Sequence, residues 1–215
     1  MRKIFVITIV TVIFSISSAS AQFLGQLTPA PTLNKGDGLI GAYMGVYEDA
    51  FSVFGQARYG IAKYVDFGFK MGLVDLDPKN SVGLVVGGDV KYWFMEERTG
   101  DPLDLSVAGA TEYWKVSKQE VFLLGCNIIG SYQIDYGQNK SVTPYGRFNV
   151  RWERKDLENP ENSNGGKKKN GSDDDLGVAV ALGAVLKFSS NLSLTGELEI
   201  DDYVGFVAGI NYFIF

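Results

Sequence analysis

The 215-residue chain contains no histidine. That excludes Ser–His and Asp–His nucleophile–base pairs and any imidazole metal site. It has a single cysteine, Cys126, so no internal disulfide can form. Cys126 falls on the apolar row of its segment and reads as a small apolar wall residue rather than a reactive thiol. Past residue 21 no run of 18 apolar residues occurs, so no transmembrane helix is expected. No glycine-rich phosphate loop stands between a strand and a helix. An excess of basic residues is lacking too. Without Arg2 and Lys3, 18 of the 20 basic residues remain against 25 acidic ones, a net charge of −7. Nucleic acid is therefore not an expected partner. Nothing in the composition calls for a cofactor.

The N-terminus carries the three parts of a secretory signal. Arg2 and Lys3 supply the positive end, 4–16 the apolar core, and Ala19-Ser20-Ala21 the small-residue cleavage site. Residues 1–21 are expected to be removed. The alternative is an uncleaved anchor, for which the apolar core is short of the ~20 residues a span needs. Residues 22–38 carry Pro29, Pro31, Asn34 and Gly36 and are expected to form an extended lead-in on the periplasmic side.

What the chain has in quantity is glycine (26 residues), aromatics (13%) and alternation. Val65, Phe67, Phe69, Met71 and Leu73 form one row, with Asp66, Gly68, Lys70 and Gly72 in the other. Leu176, Val178, Val180, Leu182 and Leu186 likewise face away from Gly177, Ala179, Ala181, Gly183 and Lys187. A period of two is the strand signal. Ten such segments are predicted, near 39–48, 52–61, 65–74, 82–94, 103–114, 121–134, 142–154, 176–188, 192–201 and 203–215. Eight result if two hairpins are wrongly divided.

The last segment alternates from Tyr203 and ends on Tyr212-Phe213-Ile214-Phe215 with no polar tail. An end of this kind resembles the bacterial outer-membrane β-barrel superfamily, in particular small 8–10-stranded barrels of the OmpA/OmpW type. The resemblance covers about residues 38–215. It implies an all-β, antiparallel, up-and-down transmembrane barrel (39–215) in a Gram-negative outer membrane, with short periplasmic turns and longer outer loops. It also implies that Phe215, Phe213 and Tyr212 act as a signal to the barrel assembly machinery. Proteins of this kind act as narrow pores, structural elements or adhesins. The enzymes among them use histidine, so no enzyme is expected here.

In a soluble secreted carrier the large apolar row would face inward, and the charged row would face water. The polar row here is mostly Gly and Ala with a few charges, which suits a narrow lumen, leaving the bulky row for lipid. Tyr59, Tyr64, Tyr92, Phe94, Tyr132, Phe188 and Tyr212 then mark one membrane boundary. Phe51, Tyr113, Phe122, Trp152 and Tyr203 mark the other.

The inward row is predicted to carry Arg58, Lys70, Lys91, Arg147 and Arg151 with Asp66, Asp89, Asp104, Glu112, Glu153, Glu197 and Glu199. Mixed signs permit pairing across strands. Two functions follow: a polar channel whose charges select small solutes, or a salt-bridged plug. Glu112, Glu197 and Glu199 also qualify as paired carboxylates for glycosidase-type acid–base work, although carboxylates beside Arg are more often ion pairs. The longest connection, 155–175, is expected to be a mobile outer loop. In it Lys167, Lys168 and Lys169 would meet anionic lipopolysaccharide. Asp173, Asp174 and Asp175 would bind a cation weakly, or the whole loop is simply solvated. The sequence leaves the oligomeric state open.

Overall fold

The structure, a computed structural model, describes residues 26–48, 50–76, 81–97, 100–116, 119–157, 171–201 and 204–215. The predicted signal segment and Lys167 to Lys169 lie outside the described residues, as does Tyr203. Eleven strands are present: β1 (Gly38–Tyr47), β2 (Ala50–Ala62), β3 (Val65–Leu76), β4 (Ser81–Met95), β5 (Asp104–Val116), β6 (Gln119–Ser131), β7 (Ile134–Gly137), β8 (Lys140–Leu157), β9 (Gly171–Lys187), β10 (Leu192–Ile200) and β11 (Val204–Ile214).

Ten of them close into a ring. Each strand pairs antiparallel with its sequence neighbours, β6 passes to β8, and β1 joins β11 from Gly38↔Ile214 to Tyr47↔Gly205. The tenfold count replaces the eightfold alternative. The extra strand β7 follows β6 after two residues and pairs only with the start of β8, from Ile134↔Val142 to Gly137↔Lys140. Closure leaves no open sheet edge in the ring, which a backbone surrounded by hydrocarbon requires. One end of the barrel, here the terminal end, holds Gly38, Ile214 and the turn at Lys63 and Tyr64. The other, the far end, holds Tyr47, Leu157 and Gly171.

Alternation settles which row faces out. Phe67, Phe69, Met71 and Leu73 are exposed, whereas Asp66, Gly68 and Lys70 are buried. The same holds around the ring, where Leu176, Leu182, Phe206, Phe148 and Ile128 face outward. An apolar exterior this continuous is not found on soluble proteins, so the outward row faces lipid and the soluble-carrier alternative falls. Tyr59, Tyr92, Phe94, Tyr132 and Tyr212 ring the terminal end, and Phe51, Phe122 and Trp152 the far end. The Phe122 and Trp152 rings meet edge to face, 6.1 Å apart. Cys126 is exposed on the outward row.

Three expectations are corrected. First, the hairpin β8–β9 is longer than 142–154 and 176–188. Asp173, Asp174 and Asp175 lie in β9, not in the loop, opposite Lys155, Arg154 and Glu153. Opposite charges across two of those three positions favour pairing, so a polar composition was no reason to end the strands. Second, the lead-in does not stay outside the barrel. Gln26, Leu27 and Ala30 are buried at 2%, 3% and 0% exposure, among inward-facing side chains. Buried lumenal donors and acceptors that the segment can satisfy draw it in. Third, the inward row is not polar throughout. Phe54, Val74, Val85, Trp114, Val116, Val121, Leu123 and Val207 form an apolar cluster, with Leu27 against it.

Candidate functional site in the barrel lumen

The strand alternation that sends Phe and Leu outward brings all twelve predicted charged residues inward, each at most 8% exposed. The register then decides who meets whom.

On β2, β3 and β4, the row Arg58↔Gly68↔Asp89 runs across three strands. Gly68 makes this possible. A Cβ there would sit 2.3 Å from the Asp89 carboxylate and 2.5 Å from the Arg58 guanidinium. With no side chain between them, Arg58 Nη1 donates to both Asp89 oxygens, at 2.8 and 2.9 Å. Its Nη2 donates to Asp66 at 2.5 Å. Lys91, fully buried and directly opposite Asp66, lies 3.6 Å from that carboxylate. Two cations and two anions therefore balance at this level. One layer deeper, Lys70 reaches Glu112 at 3.1 Å over Gly87, which again leaves the space free.

The opposite wall, β8 to β11, carries its own network. Arg147 holds Glu197 at 2.5 Å and lies 3.6 Å from Glu199. Tyr145 donates to Glu197 at 2.6 Å, and Asn149 donates to Asn127 at 2.9 Å. Tyr43 donates to Asn211, which in turn donates to Thr195 at 2.9 Å. Toward the far end Arg151 pairs with Asp201, and Glu153 takes Lys155 at 3.1 Å. Asp104 stands apart from these pairs at the terminal end, accepting the Glu97 amide at 3.0 Å.

Charges buried this deeply are stable only when paired, because an isolated ion in a dry site costs several kcal/mol. The pairing includes the three carboxylates considered for acid–base work. Glu112 is held by Lys70, and Glu197 and Glu199 share Arg147, so these carboxylates are partners of cations. Among the described residues no group of three His, Cys, Asp or Glu side chains could hold a metal.

Between the two walls most of the inward-facing side chains of the described residues are buried. The apolar cluster caps the far half on the β2–β6 side. It includes Trp114 at 4% and Leu123 at 0% exposure, and within it the Tyr43 and Phe54 rings stack 5.1 Å apart. The segment 26–33 lies in the terminal half. Among the described residues one small cavity is lined by Gln26, Gln56, Lys70, Asp89 and Ala110 among others. Sequence reasoning found the charges but missed the apolar cap and the inserted segment. The cap left a trace: in Val121-Phe122-Leu123-Leu124 and Leu84-Val85-Val86 both rows are apolar, as a strand is that meets lipid on one face and an apolar lumen on the other.

The C-terminal residues take two orientations. Tyr212 and Phe215 are exposed, at 49% and 71%. Phe213 belongs to the other row; its ring stacks on Phe215 and lies under the Lys187 ammonium at 5.0 Å. Its amide donates to the Asn191 carbonyl at 2.8 Å, tying the end of β11 to the β9–β10 turn.

No family model and no curated protein matches the chain. Solved structures similar to it include the N-terminal β-barrel domain of Pseudomonas aeruginosa OprF. That match has 11% identity over 85% of this chain and 100% of that chain, with a TM-score of 0.39. The KdgM porin matches at 10% identity over 81% and 98%, with a TM-score of 0.40. Neisserial surface protein A matches at 12% identity over 82% and 94%, with a TM-score of 0.33.

Proposed function

We propose that this chain is a non-enzymatic outer-membrane barrel, closed along its axis in the conformation described, with its lumen acting as a rigid scaffold for the surface it presents at the far end. One observation supports this: buried side chains stand in both halves of the lumen, the apolar cluster around Trp114 and Leu123 in the far half and Gln26, Leu27 and Ala30 in the terminal half. Water-filled porins need ~16–18 strands, whereas ~8 are just filled by side chains. Ten strands with this packing stand on the filled side. The chain would be exported by its N-terminal signal and delivered with both barrel ends of the chain on the periplasmic side. The assembly machinery would read Tyr212, Phe213 and Phe215. The far-end hairpins would face outward against lipopolysaccharide, with Lys167, Lys168 and Lys169 as the cationic contact. Proteoliposome swelling tests closure. Vesicles containing the folded protein should swell no faster in small sugars or amino acids than empty vesicles; swelling that depends on solute size would overturn it.

A second reading has its own observation. Along β8 to β10 the polar residues do not stop where the opposite wall turns apolar. Arg147, Asn149 and Arg151 run up β8 beside Glu197 and Glu199 on β10, ending at the Arg151–Asp201 pair. Such a stripe would serve a narrow porin-like channel for small polar solutes, with Arg147 and Glu197 as its filter.

A further inference from the structure

Residues 26–33 lie inside the barrel, yet they pair with none of its strands. Side chains from four strands hold them instead. The Lys91 ammonium donates to the carbonyls of Pro29 and Pro31, both at 2.9 Å, and to the Thr28 hydroxyl at 3.3 Å. The Ala30 amide donates to Ser131 Oγ at 3.1 Å and the Leu33 amide to Asp66 Oδ2 at 3.2 Å. Gln56 Nε2 donates to the Gln26 carbonyl at 2.9 Å. Lys91 is on β4, Ser131 on β6, Asp66 on β3 and Gln56 on β2, so the hydrogen bonds come from the β2–β6 side, and Tyr145 of β8 packs on Ala30 from across the lumen.

The segment's own sequence fits this burial. An extended backbone buried away from a sheet leaves donors without partners. Pro29 and Pro31 have no N–H, and the amide between them goes to Ser131. The residue between the prolines is Ala30, fully buried against Ile129 and Tyr145, a place that suits a small side chain. Leu27 enters the apolar cluster. At the rim, Gly60 provides the way in. A Cβ on it would lie 1.9 Å from the Asn34 carbonyl oxygen, and the same glycine exchanges backbone hydrogen bonds with Gly36 and Asp37.

We infer that the terminal half of the lumen is a peptide-binding site, and that the chain's own residues 26–33 occupy it in cis. The chemistry it recognises is an extended chain with a small residue between two prolines, two carbonyls aimed at one ammonium, and a leucine at its inner end. The same stretch supplied as a separate peptide should bind once the tethered copy is displaced. This rests on the reading of the lumen as closed, but its test reads the peptide seat and not the passage of solute, so the two can fail separately.

The full-length chain with Ala30→Trp cannot seat its own segment, while the wall stays intact because residue 30 is no part of it. A fluorescein-tagged peptide of residues 26–33 (Gln-Leu-Thr-Pro-Ala-Pro-Thr-Leu) is titrated against this variant in detergent, with folding checked by heat-dependent electrophoretic mobility. Saturable binding is expected, at least tenfold tighter than to wild type. Adding Lys91→Met should weaken it at least tenfold. A folded Ala30→Trp variant that binds no peptide, or binds it no better than wild type, would overturn the inference. Wild type itself gives an independent reading: amide exchange at Ala30 and Leu33 should be slowed at least a hundredfold relative to the free peptide. Exchange at the free-peptide rate would equally overturn it.

Discussion

Removing the Arg58 guanidinium tests most severely the idea that the lumenal charges hold one another in place. Arg58→Ala takes both hydrogen bonds from Asp89 and one from Asp66, and leaves Asp66 with Lys91 at 3.6 Å and the Leu33 amide at 3.2 Å. The side chains of Asp66 and Asp89 are 1% and 8% exposed, so neither can be rehydrated without opening the barrel. Breaking one side of a buried pair costs about 3–5 kcal/mol, mostly the penalty of the charge left behind. The loss should therefore be far larger than that of three ordinary hydrogen bonds on a surface. The assay is urea unfolding of the refolded protein in lipid vesicles, followed by tryptophan fluorescence. Two controls isolate the cause. Arg58→Met combined with Asp89→Asn removes the orphaned charge and should recover at least about half of the loss, because replacing both partners of a buried pair is often near neutral. Lys115→Ala breaks a pair whose members are 57% and 42% exposed and should change nothing measurable. If Arg58→Ala were as mild as Lys115→Ala, the lumen would be wet and the charges solvated, and the account of a dry, paired interior would be wrong.

Other predictions follow from the same geometry. Trp114→Ala opens the apolar cap and should destabilise the barrel by about 3–5 kcal/mol, read from the same unfolding curves; no loss would mean the cap is not packed. Phe148→Arg places a charge on the outward face beside Ile128 and Val180 and should cost about 2–4 kcal/mol in a bilayer; an unchanged midpoint would mean that this face does not meet lipid. Cys126, on the same face, should resist a membrane-impermeant maleimide in folded, lipid-embedded protein and react on unfolding; rapid labelling of the folded form would contradict its placement.

How much of this was legible beforehand depends on which residues carried a local signal. Alternation such as Asp66-Phe67-Gly68-Phe69-Lys70 assigns each side chain a face from sequence alone, so the strand ring and the inward charges were readable. The partners were not, because Arg58 meets Asp89 through the register of three strands. The glycine that permits the contact, Gly68, looks like any other small residue in the row. The inserted segment was misplaced for a related reason. Prolines at 29 and 31 read as part of an extended lead-in on the periplasmic side. Their use in burying a backbone without orphan amides appears only when Lys91 and Ser131 are seen beside them. The ends of β8 and β9 were set too short because charged residues were taken as loop, whereas Lys155 and Arg154 face Asp173 and Asp174 across the pair.

The central claim, that the lumen is closed, is tested most directly by single-channel recording of the refolded mature protein in a planar bilayer. The account predicts a correctly folded barrel that inserts and passes no discrete current. Stable conductance steps that change in size or ion selectivity with Arg147→Ala or Glu197→Ala would contradict it and make the polar stripe of β8 and β10 a working channel.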